Sequence, residues 1–454
     1  MQIQRFLFKT PARISVIGFG ILIAVGTGLL MLPSASTIKS PGFINALFTS
    51  VSACCVTGLV VVNTGSTFST FGQVVILGLI QAGGLGIMTI STLALMIGGR
   101  RPSLSERVVI QDTFTNSGER NLSFILRNVI LFTFVIEGVG ALLMFFRFLP
   151  GRTVCNALFI SIFHSISAFC NAGFSLFPDS LIAFREDWIL NLVICFLIIC
   201  GGIGFLVLLE LKHNFPFKRS SWSRLSLHSK LVISTTSILL VTGSLLIMLM
   251  EWHNTLSPLT IPGRFLASFF QAVSARTAGF NTLPVGKMAD ETLFLLALLM
   301  FIGASPGSCG GGIKTTTLAA LISLGVSRLR GREHTQIFHR TISNASLGKA
   351  ISMVIISIAL IAIFVMSILT TELGQISHLQ SRGKFLELFF EIISAFGTAG
   401  LSTGVTGELS LPGKLIVIAV MFIGRLGPLV IAIAISRLRE TPHFYYAKEN
   451  IMIG

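Results

Sequence analysis

Ser394-Ala395-Phe396-Gly397-Thr398-Ala399-Gly400-Leu401 decides the fold, because the chain carries this stretch four times. The other copies are Ser52-Ala53-Cys54-Cys55-Val56-Thr57-Gly58-Leu59, Ser167-Ala168-Phe169-Cys170-Asn171-Ala172-Gly173-Phe174 and the shorter Ser274-Ala275-Arg276-Thr277-Ala278-Gly279-Phe280. Each has a Phe four residues ahead of its Ser-Ala pair (Phe48, Phe163, Phe270 and Phe390), a spacing that puts both on one helix face. The glycines Gly58, Gly173, Gly279 and Gly400 lie 115, 106 and 121 residues apart, too far for a solenoid repeat and suited to a small membrane module. Four copies mean four equivalent units.

The surrounding composition is that of an integral membrane protein. Of 454 residues, 52% are hydrophobic and only 11% charged, against roughly a quarter charged in soluble domains. Apolar runs long enough to cross roughly 30 Å of hydrocarbon lie near residues 14–33, 72–98, 128–149, 188–211, 231–251, 290–325, 350–370 and 413–436. That is eight spans, two per unit. Between the two lies a shorter apolar stretch, near 43–55, 155–169, 264–275 and 384–396, each running into a repeated glycine. About a dozen residues give a helix of roughly 18 Å, half a bilayer. Such a segment enters and leaves on one side, and the backbone after it must be buried in protein or line water. The expected fold is all-α: four pseudosymmetric span, re-entrant pore helix, span repeats around one central pore. Repeat 1 occupies residues 1–99. Residues 100–213 hold a basic loop and repeat 2, 214–331 a loop and repeat 3 with a broken second span, and 332–440 a loop and repeat 4. Residues 441–454 form a C-terminal tail with an apolar end suited to docking.

A net charge of +15 invites a nucleic-acid reading, but most of the 33 Lys and Arg fall between the repeats, as in Arg100, Arg101 and Arg107, or Arg328, Arg330 and Arg332. The positive-inside rule then places both termini and these loops in the cytoplasm, with the half-helices entering from outside. The loops at 99–128 and 326–349 suit amphipathic helices binding anionic lipid, or docking of a cytoplasmic subunit; the residues alone leave both open. Seven cysteines without regular pairing give neither a disulfide framework nor a zinc site, and Cys195 and Cys200 read as packing residues. No cleavable signal peptide is expected, since residues 14–33 are long enough to span.

The chemistry that fits a repeated glycine after a half-helix is cation dehydration. A loop without bulky side chains can turn carbonyl oxygens inward, and a ring of them replaces water around a cation. The negative end of each helix dipole adds favourable potential. A second echo lies in the second spans: Gly83-Gly84-Leu85-Gly86 returns as Gly201-Gly202-Ile203-Gly204 and Gly424-Arg425-Leu426-Gly427. Glycines there read first as close helix packing. Arg425 differs: a cation in an apolar span is costly and by default functional. It either controls the pore or pins two helices through Glu391, Glu387 or Glu137. In repeat 3 the same level reads Gly303-Ala304-Ser305-Pro306-Gly307-Ser308-Cys309-Gly310-Gly311-Gly312, followed by Ile313 and Lys314. Five glycines and a proline cannot stay helical, so this span breaks around a loop that lines a cavity. Its likeness to a nucleotide P-loop fails, because Ile313 intrudes before Lys314 and no strand precedes it. His164 reads as a polar packing residue behind the pore. Glu387 and Glu391 either brace the loop or attract cations at the mouth. An enzyme would need convergent catalytic groups, whereas His164, Glu137 and Arg425 are scattered in depth. A secondary transporter of another cation or small solute, using the broken helix, remains the alternative.

On these residues the chain resembles the Trk/Ktr/HKT superfamily of cation transporters over nearly its whole length, and most resembles the Ktr membrane subunit, since it starts directly before the first repeat. The resemblance implies potassium uptake across the inner membrane through a filter built from Val56, Thr57, Gly58 and Leu59; Asn171, Ala172, Gly173 and Phe174; Thr277, Ala278, Gly279 and Phe280; and Thr398, Ala399, Gly400 and Leu401. It implies potassium at these residues and no organic cofactor, with sodium as a candidate coupling ion. A gate at Gly303–Gly312 opposite Arg425, a homodimer and a cytosolic ring of nucleotide-binding regulatory subunits follow from the same resemblance. Sodium-favouring plant members carry Ser at the first filter glycine; Gly58 here implies potassium. The filters keep only the single glycine of the longer TVGYG of tetrameric potassium channels, which implies looser selectivity.

Overall fold

Apolar runs punctuated by glycine set the helix lengths. The computed structural model describes residues 11–37, 41–86, 122–214, 216, 221–374, 376, 377 and 379–427. Its helices fall into groups of three. The first is α1 (Pro11–Leu30), α2 (Phe43–Cys54) and α3 (Thr70–Leu85); the second is α4 (Leu122–Phe148), α5 (Val154–Phe169) and α6 (Trp188–Ile203), extended by α7 (Phe205–His213). The third is α8 (Leu227–Met250), α9 (Ile261–Ala275) and α10 (Asp290–Phe301), extended by α11 (Thr315–Leu329); the fourth is α12 (Asn344–Glu372), α13 (Lys384–Gly397) and α14 (Leu411–Leu426). A two-residue hairpin, β1 (Gln336–Ile337) with β2 (Arg340–Thr341), sits before α12.

The short helices occupy the middle of the packing. In every group the first long helix packs on the short one, and the short one on the second long helix. Between groups, α3 packs on α5, α6 on α9 and α10 on α13, while α14 returns to α2 and closes the ring. Phe48, Phe163, Phe270 and Phe390 are all fully buried in the core the helices share. Polar links at one end tie the first long helix to the start of the second: Arg147 pairs with Asp187, Glu251 accepts from the Ala289 amide at 2.9 Å, and Glu372 accepts from the Ser410 amide at 3.1 Å.

Three described helices, α4, α8 and α12, are long and apolar enough to cross a membrane, and α6 with α7 makes a fourth if counted as one bent span. The expectation of uninterrupted second spans needs correcting. The apolar run at 188–211 bends by 101° at Gly204, and α3 and α14 stop at Gly86 and Gly427; all three glycines hold positive φ (99°, 81° and 85°). Hydropathy is blind to this, because a glycine with positive φ ends a helix without lowering the apolar count. Residues 1–10, 87–121 and 428–454 lie outside the described residues. With them go most of the 99–128 loop, the tail and the ends of the 72–98 and 413–436 runs.

Candidate functional site: a glycine ring above an irregular loop

Each short helix ends in the same backbone turn. The residue two before the repeated glycine adopts positive φ (Val56 54°, Asn171 59°, Thr277 78°, Thr398 49°), and so does the glycine (Gly58 92°, Gly173 69°, Gly279 78°, Gly400 80°). Such φ is uncommon for any non-glycine residue and a genuine outlier for Val and Thr, which are β-branched, so four matched cases mark a constrained site. The serine of each motif holds the turn. Its carbonyl accepts the amide just before the glycine: Thr57 to Ser52 at 2.8 Å, Ala172 to Ser167 at 2.7 Å, Ala278 to Ser274 at 2.9 Å and Ala399 to Ser394 at 2.8 Å. Hydroxyls add to this, with Ser52 accepting from the Gly58 amide and Ser167 and Ser274 donating to the Phe174 and Phe280 carbonyls.

The four turns meet head to tail. A Cβ placed on Gly58 meets the Ala172 carbonyl, one on Gly173 lies 2.5 Å from the Ala278 carbonyl, and one on Gly279 lies 2.8 Å from the Ala399 carbonyl. One on Gly400 meets the Thr57 carbonyl, which closes the circle. Only glycine fits backbone this close at this φ. A cavity of about 410 Å³ opens on one side of the ring, lined by all four glycines with Asn63, Asp179, Asn281 and Ser402. Glu391, fully buried, braces this mouth by accepting from the Ser402 hydroxyl at 3.0 Å and from the Thr406 hydroxyl. His164 is buried behind it, stacked on Phe177, with its ring nitrogens on the Ile160 carbonyl and the Ser175 hydroxyl.

On the other side of the ring lies the irregular segment between α10 and α11, which contains Gly303 to Gly312. It touches the second and fourth groups as well as its own. The Ser305 and Cys309 amides donate to the Gly202 and Gly201 carbonyls of the second group at 3.0 and 3.1 Å, and the Phe205 amide donates to the Gly307 carbonyl. Within its own group, the Ser305 and Thr315 hydroxyls bond at 2.9 Å, and the Ser308 hydroxyl donates to the Ser305 carbonyl. Toward the fourth group, the Gly311 amide donates to Thr398 Oγ1 at 2.9 Å, directly under the ring. Gly310 lies against the Thr277 hydroxyl, and Ala304 and Pro306 abut Gly202 and Gly204.

Arg425 links this segment to the rest. Its guanidinium donates to the Cys309 carbonyl and to the Gly83 carbonyl of the first group. The alternative reading of Arg425, a pairing with Glu391, Glu387 or Glu137, is not the one found: none of the three accepts from it, Glu391 being engaged at the mouth and Glu137 facing the Cys170 thiol. Lys314, beyond the expected gate residues, donates from Nζ to the Gly310 carbonyl at 2.7 Å. Two neighbouring carbonyls of the loop are thus each held by a cation. The signal for Lys314 was present, since it too is a charge in an apolar run. The glycine echo has a separate job: side chains at Gly83, Gly201 and Gly424 would overlap the carbonyls of Cys54, Phe169 and Phe396, in the last turns of α2, α5 and α13. Among the described residues no cluster of His, Cys, Asp or Glu is arranged to hold a metal.

Residues 7–445 match the family model described as TrkH, cation transport protein. The chain is 42% identical to the Ktr system potassium uptake protein B of Bacillus subtilis (strain 168), covering 95% of this chain and 94% of that protein. It is 36% identical to the potassium/sodium uptake protein NtpJ of Enterococcus hirae, covering 98% and 97%. The crystal structure of the potassium transporter TrkH from Vibrio parahaemolyticus superposes with a TM-score of 0.70 at 18% identity, covering 93% of this chain and 83% of that one, a likeness of fold.

Proposed function

The chain belongs to the TrkH family of cation transport proteins, a family of membrane transporters and not of enzymes, and on that footing we propose that it takes up potassium through the glycine ring. The observation that carries this reading is the head-to-tail circle of Gly58, Gly173, Gly279 and Gly400, each against the next group's carbonyl. Four turns of one geometry around one axis are what a fourfold pseudosymmetric pore with eight spans requires, and they supply carbonyl oxygens in place of the ion's water. The filter is formed by the segments 56–59, 171–174, 277–280 and 398–401.

Beneath it, Gly303–Gly312 with Arg425 forms the gate. A cation crossing this level meets a loop bonded to the second, third and fourth groups, tied to the first through Arg425, and two basic side chains, Arg425 and Lys314, so the conformation is a closed one. Opening requires the loop to leave Thr398 and the cations to release the Cys309 and Gly310 carbonyls. The named relatives support potassium as the ion, and the potassium/sodium name of one makes sodium the candidate coupling ion. The protein sits in the cytoplasmic membrane with both termini inside. It assembles as a homodimer on a cytosolic ring of nucleotide-binding regulatory subunits, its basic loops meeting that ring and anionic lipid.

The test is potassium against sodium uptake in cells lacking their own potassium systems, comparing the chain with Gly58→Ser. Growth at low potassium with the parent, and loss of potassium preference in the variant, is the expected result. A variant that transports with unchanged ion preference would reduce the ring to a packing device.

A further inference from the structure

Helix α12 runs for 29 residues, whereas α10 and α13 beside it have 12 and 14. Small residues, Ala297 on α10 and Ala362 on α12, face the seam between them. A groove of about 320 Å³ results, within the roughly 300–1,000 Å³ of ligand cavities, and every residue lining it is apolar. Its walls include Phe294, Phe301, Val365, Phe385, Phe389 and Ile393. Phe385 and Phe389 stack with ring centres 6.0 Å apart and planes at 12°, so that wall is flat. Phe294 and Phe385 are 51% and 54% exposed, which leaves the groove open to the lipid side.

Phe385 also lines a second cavity of about 480 Å³, shared with Met366, Leu373 and Ser381, at the end of the bundle that carries the mouth. Phe385 lines both, so the two cavities adjoin along the back of α13. Next in the chain to the lining residues Ser381 and Phe385 are Arg382 and Lys384, both exposed and, among the described residues, without an ion-pair partner. The groove also reaches Ile393, the residue before Ser394, where the filter motif begins.

We propose that these adjoining cavities are a binding site for an anionic phospholipid, one acyl chain lying between α10, α12 and α13 and the phosphate held by Arg382 and Lys384. The groove presents no polar atom that would hold water or a polar ligand, and flat aromatic faces at membrane depth suit hydrocarbon. The charge at the rim complements a phosphate. A chain seated there would brace the fourth short helix from behind, one residue from the filter. This goes beyond the transport reading and does not depend on which ion crosses.

The experiment is native mass spectrometry of the detergent-purified full chain, titrated with phosphatidylglycerol and with phosphatidylcholine of the same acyl chains. The parent should retain phosphatidylglycerol through activation. Ala362→Trp, which fills the groove from an exposed position, should cut retention of both lipids several-fold. Arg382→Gln with Lys384→Gln should abolish the preference for phosphatidylglycerol while leaving phosphatidylcholine retention unchanged. Phe385→Ala, which removes a wall without adding bulk, should also lower retention, and decides the matter alone if Ala362→Trp does not fold. Unchanged retention in the folded groove variants overturns the site. So does a loss of self-association in Ala362→Trp with lipid retention intact, since a second copy of the chain would then cover the groove.

Discussion

Alanine at the four ring glycines should damage ion preference in an order set by the packing. Adding a methyl group at positive φ costs about 1–2 kcal/mol in each case. The contact then adds to it: the new Cβ lies 2.8 Å from the Ala399 carbonyl at Gly279, 2.5 Å from the Ala278 carbonyl at Gly173, and closer still to carbonyls at Gly58 and Gly400. Overpacking of this kind costs typically 1–3 kcal/mol. The neighbour in each case is a backbone oxygen of the next filter segment, so relief moves the group that replaces the ion's water. Since about 1.4 kcal/mol is tenfold in rate, Gly400→Ala and Gly58→Ala should lower potassium over sodium uptake by at least roughly tenfold, with Gly173→Ala between and Gly279→Ala mildest. The assay is competitive uptake of the two ions in potassium-system-deficient cells, normalised to membrane expression. Four folded variants with parental preference, or Gly279→Ala as the most damaging, would refute the reasoning.

Arg425→Ala removes both bonds that tie the loop to the first group, and basal flux should rise several-fold; reduced flux at normal expression would count against a gate. Lys314→Met should raise it less, because Lys314 releases one carbonyl and Arg425 two. At the mouth, Glu391→Ala leaves the Ser402 and Thr406 hydroxyls without their acceptor and should cost about 1–3 kcal/mol, read as a lower unfolding temperature, whereas Glu391→Gln keeps an acceptor and should cost less. Glu251, just beyond α8, gives a pH dependence. Burial pushes its carboxyl up, but the nearby Thr292 hydroxyl and bonds from the Thr255 hydroxyl and amide and the Ala289 amide outweigh that, and it titrates below its ordinary 4.5. A depressed carboxylate stabilises above its unfolded value and stops doing so as pH falls through the folded one. The thermal stability of the purified protein should therefore fall below about pH 4.5, and Glu251→Gln should flatten that limb; an equal slope in both proteins would exclude Glu251 as its source.

The four short helices were legible almost to the residue. The stretches 43–55, 155–169, 264–275 and 384–396 are observed as Phe43–Cys54, Val154–Phe169, Ile261–Ala275 and Lys384–Gly397. An apolar run that halts at a repeated glycine is a local signal, and local backbone preference suffices to read it. The break between α10 and α11 was legible for the same reason, since five glycines and a proline deny the helix its hydrogen bonds and entropy at once. The bend at Gly204 was not, because a single glycine costs a helix only about 1 kcal/mol. What tips it is distant: the Phe205 amide donates to the Gly307 carbonyl, a hundred residues on.

By itself, then, the sequence determined that this is a helical membrane protein of repeated units with glycine turns, because composition, periodicity and repetition are properties of single segments. Only the tertiary structure decided that each ring glycine abuts the next unit's carbonyl, that Arg425 and Lys314 hold the Cys309 and Gly310 carbonyls instead of pairing with carboxylates, and that Glu391 braces the mouth. Those contacts join residues about a hundred or more positions apart, or select among several chemically suitable partners, and no local pattern in the chain encodes which partner is met.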